Sequence, residues 1–254
     1  LSGGVSNANG YTVVIKENYA LADGRFAHNG WLQELPHPIS KITWDNYAAV
    51  SEKTCKELGL KNNDVIEITI GDRRLSIPVF MQAGSADEVI TIESGYGKNN
   101  SGTVASKVGF NVNSLLSKIS NHSSWIYSGA SIKKTGDTYE LASSQEHHAF
   151  DDAKTQDLHK SRNIIQEATV AGYVKNPHII KEKHHGESIS VYDPHPYPGL
   201  KWGMSIDLNK CTGCGDCVVV CNVENNIPVV GKDQVLKSRE MQWLRIDRYY
   251  SGTA

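Results

Sequence analysis

Four cysteines near the C-terminal end of this 254-residue chain constrain its fold more than any other feature. They are Cys211, Cys214, Cys217 and Cys221, in the spacing C-x2-C-x2-C-x3-C. Thiolates at these intervals along one tight loop can converge on the corners of an iron–sulfur cube. Gly213 and Gly215 remove side-chain bulk between them, so backbone N–H groups can approach the cluster sulfurs. The spacing therefore predicts a ligand loop for a 4Fe-4S cluster.

Other uses of these cysteines remain open. A zinc site would more often show two separated C-x2-C pairs, and two disulfides in one short loop would be an unusual framework for a chain of this length. In two-cluster ferredoxins the fourth cysteine of such a run ligates the other cluster. Asn222 stands where proline usually follows. We therefore expect Cys221 to serve a different cluster, whose other ligands lie beyond Ala254, and interpret the run as the opening of a ferredoxin module.

Composition excludes some classes of function. The formal net charge is −2 and 39% of the residues are hydrophobic. This charge gives no field that would recruit nucleic acid or an anionic membrane. The sequence contains no run of roughly 18 apolar residues, so no membrane span is predicted. It opens at Leu1 without a charged and then apolar leader, which we interpret as a fragment or a processed chain.

A β-hairpin with one apolar face is predicted in the first half of the chain. Apolar residues alternate with other residues on both sides of a Gly71-Asp72 turn. A hairpin of this kind must bury one face, so one set of side chains should point into the core. The set is Ile66, Ile68, Ile70, Leu75, Ile77 and Val79.

Three further elements and a polar stretch complete the predicted organisation. Strands are expected at Tyr11–Lys16 and Glu88–Glu93, and a helix over Ser51–Leu58, with Ser51 as N-cap and Gly59 at its end. After residue 119 the apolar periodicity dissolves. The predicted division is a mainly β domain over 11–119, a polar linker with short helices over 120–198, and the start of a 4Fe-4S ferredoxin-like domain over 199–254.

Motifs in both halves extend well beyond the cysteines. The tail Met204–Tyr250, with its ENNIPVVGK and WLRIDRYY runs, resembles the first cluster motif of multi-cluster ferredoxin subunits that serve molybdopterin oxidoreductases. Trp31–Ser51, Gly95–Gly97 and Gly109–Asn113 resemble the C-terminal dinucleotide-binding domain of the molybdopterin enzymes. That second resemblance implies a six-stranded double-psi β-barrel for residues 11–119.

Both pieces in this order resemble the fused molybdopterin-oxidoreductase/iron–sulfur subunit of alternative complex III, a bacterial quinol-oxidising membrane complex. The resemblance implies electron transfer through iron–sulfur clusters, with the barrel as a docking domain. It also implies a position at the periplasmic face of the membrane, beside a haem protein and a quinol-binding integral membrane subunit. Two alternatives are the C-terminal part of a catalytic molybdopterin-dependent oxidoreductase and a non-redox scaffold with a structural zinc loop.

Two further groups of residues allow both a functional and a structural interpretation. The first could line a molybdopterin guanine dinucleotide, although turns between barrel strands need the same residue types. It consists of Gly95, Tyr96, Gly97, Asn111 and Asn113. The second is Trp31 with Trp44, which could anchor either a subunit interface or a contact between the barrel and a neighbouring domain. No catalytic nucleophile set can be argued from spacing, and the fifth cysteine, Cys55, is expected to be a buried apolar residue.

Overall fold

The computed structural model describes residues 10–99, 102–119, 122–123, 125–146, 167–182, 191–193 and 195–248. The chain divides into two units. The first contains Leu1–His147 and Thr212–Ala254, and the second contains His148–Cys211. The cysteine run therefore begins at the end of the second unit and continues in the first.

The secondary structure of the described residues is dominated by strands in the first unit. The strands are β1 (Tyr11–Glu17), β2 (Ile42–Thr43), β3 (Ala48–Val50), β4 (Asp64–Ile70), β5 (Arg73–Met81), β6 (Val89–Ser94), β7 (Lys118–Ile119), β8 (His122–Ser123), β9 (Ile126–Thr138) and β10 (Ala142–Ser143). The helices are α1 (Gly30–Gln33), α2 (Glu52–Leu58), α3 (Gly102–Ala105), α4 (Val170–Lys175), α5 (Ile179–Glu182), α6 (Asp216–Glu224) and α7 (Lys232–Val235). Short 3-10 turns cover Val112–Leu115 and Ser144–Glu146.

Six strands close into a barrel in the order β1-β6-β3-β5-β4-β9. The pairs β1/β6 and β3/β5 are parallel, and the other pairs are antiparallel. A parallel pair needs a crossover connection, so the chain crosses the barrel rather than winding around it as a meander. The prediction of a mainly β chain with a six-stranded barrel, followed by a ferredoxin-like Cys segment, is confirmed.

The predicted hairpin lies at the centre of the barrel core. Strands β4 and β5 pair in antiparallel register, with Ile66 opposite Ile77 and Ile68 opposite Leu75. The predicted inward set is buried, except that Leu75 is partly buried and packs against the same core. The alternation predicted the orientation correctly because a one-residue slip would have moved every one of these side chains to the solvent face.

The sixth barrel strand, β9, corrects the predicted domain boundary. The sequence predicts that residues 126–138 belong to the polar linker, whereas they pair with β1 at Tyr127 and with β4 at Ile132. Only Tyr127 and Ala130 of this strand are buried, and Ile132 is partly buried. A strand that contributes so few apolar side chains carries no period-2 pattern, although its backbone hydrogen bonds close the barrel.

The predicted ends of one helix and two strands agree with the structure. Ser51 caps α2 by accepting from the Thr54 amide, and Gly59 ends the helix with a φ of +63°. The observed strands β1 and β6 match the predicted ones to within a residue at each end. No helix in the described ranges is long and apolar enough to cross a membrane.

A substitution in the core should be costly. We expect Ile68→Ala to lower the free energy of unfolding by about 3 kcal/mol, because it removes three buried carbons and leaves a cavity in the barrel. Ile126→Ala in β9 is the matched control, since that side chain is 63% exposed. Urea denaturation followed by circular dichroism measures both. Equal losses in the two variants would contradict the inward register of β4.

Candidate iron–sulfur site and its docking on the barrel

Cys211 and Cys214 precede the helix α6, and Cys217 and Cys221 lie within it. Cys214, Cys217 and Cys221 are each partly buried in the first unit. Cys211 is exposed, and its amide donates to the carbonyl of Asp207 at 3.0 Å. Gly215 lies in the left-handed region with a φ of +82° and serves as the N-cap residue of α6. A residue with a Cβ would be strained there, so the turn into the helix depends on glycine.

The helix α6 is held against the barrel by its buried face. Val218 and Asn222, one helical turn apart, are the buried residues of α6. A Cβ at Gly215 would lie 3.2 Å from a methyl carbon of Leu35, so the start of the helix sits directly on the barrel segment. Beyond the helix, the indole N–H of Trp31 donates to the carbonyl of Ile227 at 2.8 Å.

A buried carboxylate fixes the chain that follows α6. Glu34 accepts a hydrogen bond from the indole Nε1 of Trp44 at 3.0 Å. It also accepts from the backbone amides of Val230, at 3.1 Å, and Gly231, at 2.8 Å. The residue is 5% exposed, so each bond forms away from water. Three donors around one buried carboxylate satisfy both sides of the contact, which would otherwise bury unpaired polar groups.

A second buried contact inserts a lysine of the tail into the barrel. The Nζ of Lys232 lies 2.6 Å from an oxygen of Asp45, whose side chain is almost fully buried. The hydroxyl of Tyr139 donates to the other oxygen at 3.0 Å, and the ammonium lies 3.8 Å from the centroid of the Tyr139 ring. Burial raises the pKa of Asp45, while Lys232 and Tyr139 oppose that rise. The lysine of the ENNIPVVGK run therefore anchors the tail to the barrel.

The two tryptophans anchor contacts within the chain. Trp44 is buried and packs with Val235 and Ala142, so its ring joins the tail to the strand β10. Trp31 bonds to the backbone of the tail, as described above. The two interpretations were a subunit interface and a contact between the barrel and a neighbouring domain. The structure agrees with the second, because both indoles lie between the barrel and the cysteine-bearing segment. Both indole N–H groups find acceptors there, as buried tryptophans generally require.

Residues after α7 return along the barrel and carry positive charge to the cysteine-bearing loop. Arg245 donates to the carbonyl of Ser144 at 2.8 Å, and Gln145 pairs with the backbone of Arg248. A guanidinium nitrogen of Arg248 would lie 3.9 Å from a Cβ built on Gly213. A small cavity borders the loop here, and Gly213, Gly215, Val218, Leu35, Lys41 and Arg245 are among its lining residues.

Asn225 and Tyr19 contact the cysteine-bearing segment at Cys221 and at Asp216. The Nδ2 of Asn225 lies 3.6 Å from the sulfur of Cys221 and 2.9 Å from its carbonyl oxygen. The hydroxyl of Tyr19 donates to Asp216 at 3.3 Å. Burial, followed by the neighbouring Asp216 and Cys214, raises the pKa of Tyr19. These contacts come from opposite directions, one from the end of α6 and one from the barrel.

The donor set fits an iron–sulfur cluster by its chemistry. All four donor side chains are cysteine thiols. Among the residues for which the structure gives a placement, no three His, Cys, Asp or Glu side chains are grouped closely enough to hold one metal ion. Metal binding and local folding are coupled in loops of this kind, so the thiols are expected to converge as the metal binds.

The glycines of the possible dinucleotide site pack against their own chain. A Cβ at Gly97 would clash with the amide nitrogen of Asn111, and one at Gly95 would lie 2.7 Å from the carbonyl oxygen of Ala22. The side chain of Asn111 accepts from the Asn113 amide and caps the 3-10 turn. Close approach of these backbones accounts for both glycines without a ligand. Contact with a dinucleotide stays a prediction.

Tyr96 and Asn113 complete that group of residues. Burial raises the pKa of the Tyr96 hydroxyl well above its ordinary value. A Cβ at Gly109 would lie 2.7 Å from the Cβ of Tyr96, so the two glycine-bearing segments pack directly on each other. Asn113 is exposed. The five residues are therefore neighbours in the fold, as the motif resemblance implies, but several of them are engaged with one another.

Comparison with known proteins finds relatives of the cysteine-bearing segment. Residues 202–223 match a family profile described as a 4Fe-4S binding domain. The iron-sulfur cluster-binding subunit of menaquinone reductase from Nitratidesulfovibrio vulgaris is 47% identical over 53 residues, which are 21% of this chain and 20% of that subunit. The arsenate respiratory reductase iron-sulfur subunit ArrB of Chrysiogenes arsenatis is 58% identical over 26 residues, 10% of this chain and 87% of that sequence. The chain belongs to the 4Fe-4S iron–sulfur subunits.

A solved structure similar to this iron–sulfur subunit is acetylene hydratase from Pelobacter acetylenicus. The superposition has a TM-score of 0.36 at 17% sequence identity, and it covers 49% of this chain and 18% of that one.

Sequence reasoning missed the contacts that fasten the iron–sulfur segment to the barrel. Glu34 is separated from Val230 by 196 residues along the chain, and the carboxylate carries no local signature of its role. Tyr19 was likewise not singled out, since it lies in a short turn after β1. One signal of these contacts was present in the sequence, namely two family motifs on the same chain, one around Trp31 and one around Lys232. The residues of these two motifs face each other in the structure.

The carboxylate of Glu34 should control the docking of the tail. We expect Glu34→Gln to weaken it by about 2 kcal/mol, because the new amide group presents N–H bonds to backbone N–H donors. Hydrogen exchange at the Val230 and Gly231 amides should accelerate correspondingly. Glu224→Gln, at the exposed end of α6, is the control and should leave these amides protected. Unchanged exchange in Glu34→Gln would show that the carboxylate does not hold the tail.

Loss of the buried ammonium should make stability depend on pH. We expect Lys232→Met to cost about 3 kcal/mol at pH 7, because it leaves the Asp45 carboxylate buried without a cation. Burial already raises the pKa of Asp45, and the substitution raises it further. The folded state then takes up a proton as pH falls through that raised pKa, so the deficit should shrink in acid.

Denaturation measured between pH 7 and pH 4 tests this dependence on pH. Lys53→Met is the matched control, since Lys53 pairs with Asp87 at 3.2 Å on the exposed surface and should contribute little. A deficit in Lys232→Met that stays constant across the range would exclude Asp45 as its origin.

Proposed function

We propose that this chain is part of an electron-transfer subunit of a membrane-associated quinol-oxidising complex. In this proposal iron–sulfur clusters relay the electrons and the barrel is a docking scaffold. The observation that carries it is the fastening of the 4Fe-4S segment to the barrel through two buried polar contacts, at Glu34 and at Asp45. The barrel thereby supports the cysteine-bearing segment.

The residues around the cysteines suit a redox site. A 4Fe-4S cluster, when bound, accepts and releases single electrons, at a potential that depends on burial, charge and hydrogen bonds to sulfur. In this chain Leu35 and Val218 exclude water from one side of the loop. Asn225 supplies a hydrogen-bond donor to the sulfur of Cys221. We assign Cys211, Cys214 and Cys217 to one cluster and Cys221 to another.

The proposal includes partners and a compartment. By the resemblance of its motifs, the subunit would lie at the periplasmic face of the membrane. It would pass electrons to a haem protein and receive them from a quinol-binding integral membrane subunit. The relatives' names support the coarser statement, since one is a subunit of a menaquinone reductase and the other of an arsenate respiratory reductase. Molybdopterin catalysis and a zinc-loaded scaffold are the alternatives that the test below separates.

Cofactor analysis of the protein tests the function. We expect iron and sulfide, brown visible absorbance and an electron paramagnetic resonance signal after reduction. Colourless protein that contains zinc would overturn the electron-transfer assignment. Molybdenum in stoichiometric amount in the full-length protein would favour the catalytic alternative.

Serine substitutions test how the cysteines are divided between clusters. In the native protein Cys214→Ser and Cys217→Ser should remove the same paramagnetic signal, and Cys221→Ser a different one. Cys55→Ala is the control. Its thiol is buried in the barrel core, burial raises its pKa to about 11, and its loss should spare every signal. If Cys221→Ser removed the same signal as Cys214→Ser, the four thiols would share one cluster.

A further inference from the structure

Arg248 holds a guanidinium group at the edge of the cysteine-bearing loop. Its backbone is fixed by Gln145, whose side chain accepts from the Arg248 amide at 2.9 Å and donates to the Arg248 carbonyl. The Nη2 of Arg248 donates to the carbonyl of Pro38 at 3.4 Å and would lie 3.9 Å from a Cβ built on Gly213. The guanidinium is therefore held between the barrel and Gly213, the second residue after Cys211.

The positive charge of Arg248 is not neutralised by an acidic side chain of the described residues. The neighbouring acid, Asp247, pairs with Arg245 at 3.0 Å. The Nε of Arg248 is buried and finds no hydrogen-bond acceptor in the part of the chain that the structure describes. A cation withdrawn from water costs free energy unless an anion or a full set of acceptors compensates it. An anion bound beside Gly213 would supply this compensation.

We propose that this anion is the iron–sulfur cluster of the loop, and that the fixed charge of Arg248 raises the reduction potential of that cluster. The inference rests on the proposed function. A 4Fe-4S cluster with thiolate ligands carries negative charge, and that charge is one determinant of its potential. Gly213 lies between Cys211 and Cys214, two of the cysteines assigned to this cluster. The tail thereby contributes a specific charge to the redox site in addition to the cysteines.

The direction of the effect follows from Coulomb attraction. Reduction adds one electron, supplied by the donor of the proposed function, and the added negative charge is attracted to the nearby cation. No bond forms or breaks. No proton moves either, because a guanidinium stays protonated in proteins. Arg248 should therefore favour the reduced state, and its effect on the potential should not change with pH.

A potentiometric titration monitored by electron paramagnetic resonance tests the proposal in the cluster-loaded native protein. We expect Arg248→Gln to change the reduction equilibrium about tenfold, which lowers the potential by about 59 mV for one electron. Arg248→Lys keeps the charge and should retain most of the parent's potential. Arg239→Gln is the matched control. It removes the same charge from the same tail, but Arg239 is exposed and donates to Gln234 at 2.8 Å, so water screens its charge and the potential should stay that of the parent.

Comparison of the glutamine and lysine variants distinguishes a charge effect from a structural one. If Arg248→Gln fails to retain the cluster while Arg248→Lys retains both the cluster and the parent's potential, the charge pairing is supported. Three results would overturn the inference and leave the proposed function standing: a parent-like potential in Arg248→Gln at full iron content, an equal shift in both variants, or loss of the cluster from both. Failure of the proposed function would look different, because the parent protein itself would then contain no iron–sulfur cluster.

Discussion

The arrangement of this chain depends on one buried carboxylate shared by three donors. Glu34 accepts from the indole of Trp44 on the barrel side and from the amides of Val230 and Gly231 on the tail side. Without the tail, Glu34 would have one donor for a carboxylate placed to take three. Without Glu34, two amides would be buried with no acceptor, at a cost of about 1–3 kcal/mol for each orphaned group. Barrel and iron–sulfur segment therefore satisfy each other, and the cysteine helix inherits its position from this contact.

The fold could be predicted from the sequence where apolar periodicity and polar pattern agreed. The β4–β5 hairpin alternates over Ile66–Ile70 and Arg73–Ile77, because its inner face fills the barrel while the side chains between are partly or fully exposed. The helix α2 carries both of its boundary signals, Ser51 and Gly59. In contrast, β9 closes the barrel mainly through its backbone, with Tyr127 as its large buried side chain. Backbone pairing leaves no trace in side-chain order, so such a strand is found only once its neighbours are known.

The candidate site, like the fold, could be predicted from the sequence only in part. The cysteine spacing predicts the ligand type because the geometry of a cluster restricts where thiolates can lie along a loop. The surroundings of the cysteine-bearing segment could not be read from the spacing, since Tyr19, which donates to Asp216, comes from a distant part of the chain. The glycine-rich motifs show the converse problem. Gly97 permits a backbone to approach closely, and the sequence cannot tell whether that backbone belongs to a ligand or, as seen here, to Asn111 of the same chain.

Electron transfer requires no bond to be made or broken, so a protein contributes mainly through the surroundings of the cofactor. The barrel provides them on one side of α6: Leu35 packs at Gly215, and Val218 is buried. The opposite side stays open, with Val220 63% and Val223 50% exposed. Helix α6 is therefore buried on one face and apolar on the other. One face is fixed to a rigid support, while the other is free to meet further protein. Such a helix is incomplete as a domain but suited to a site that relays electrons. The barrel is thus best understood as one wall of the redox site, and its polar contacts with the tail are what make that wall stable.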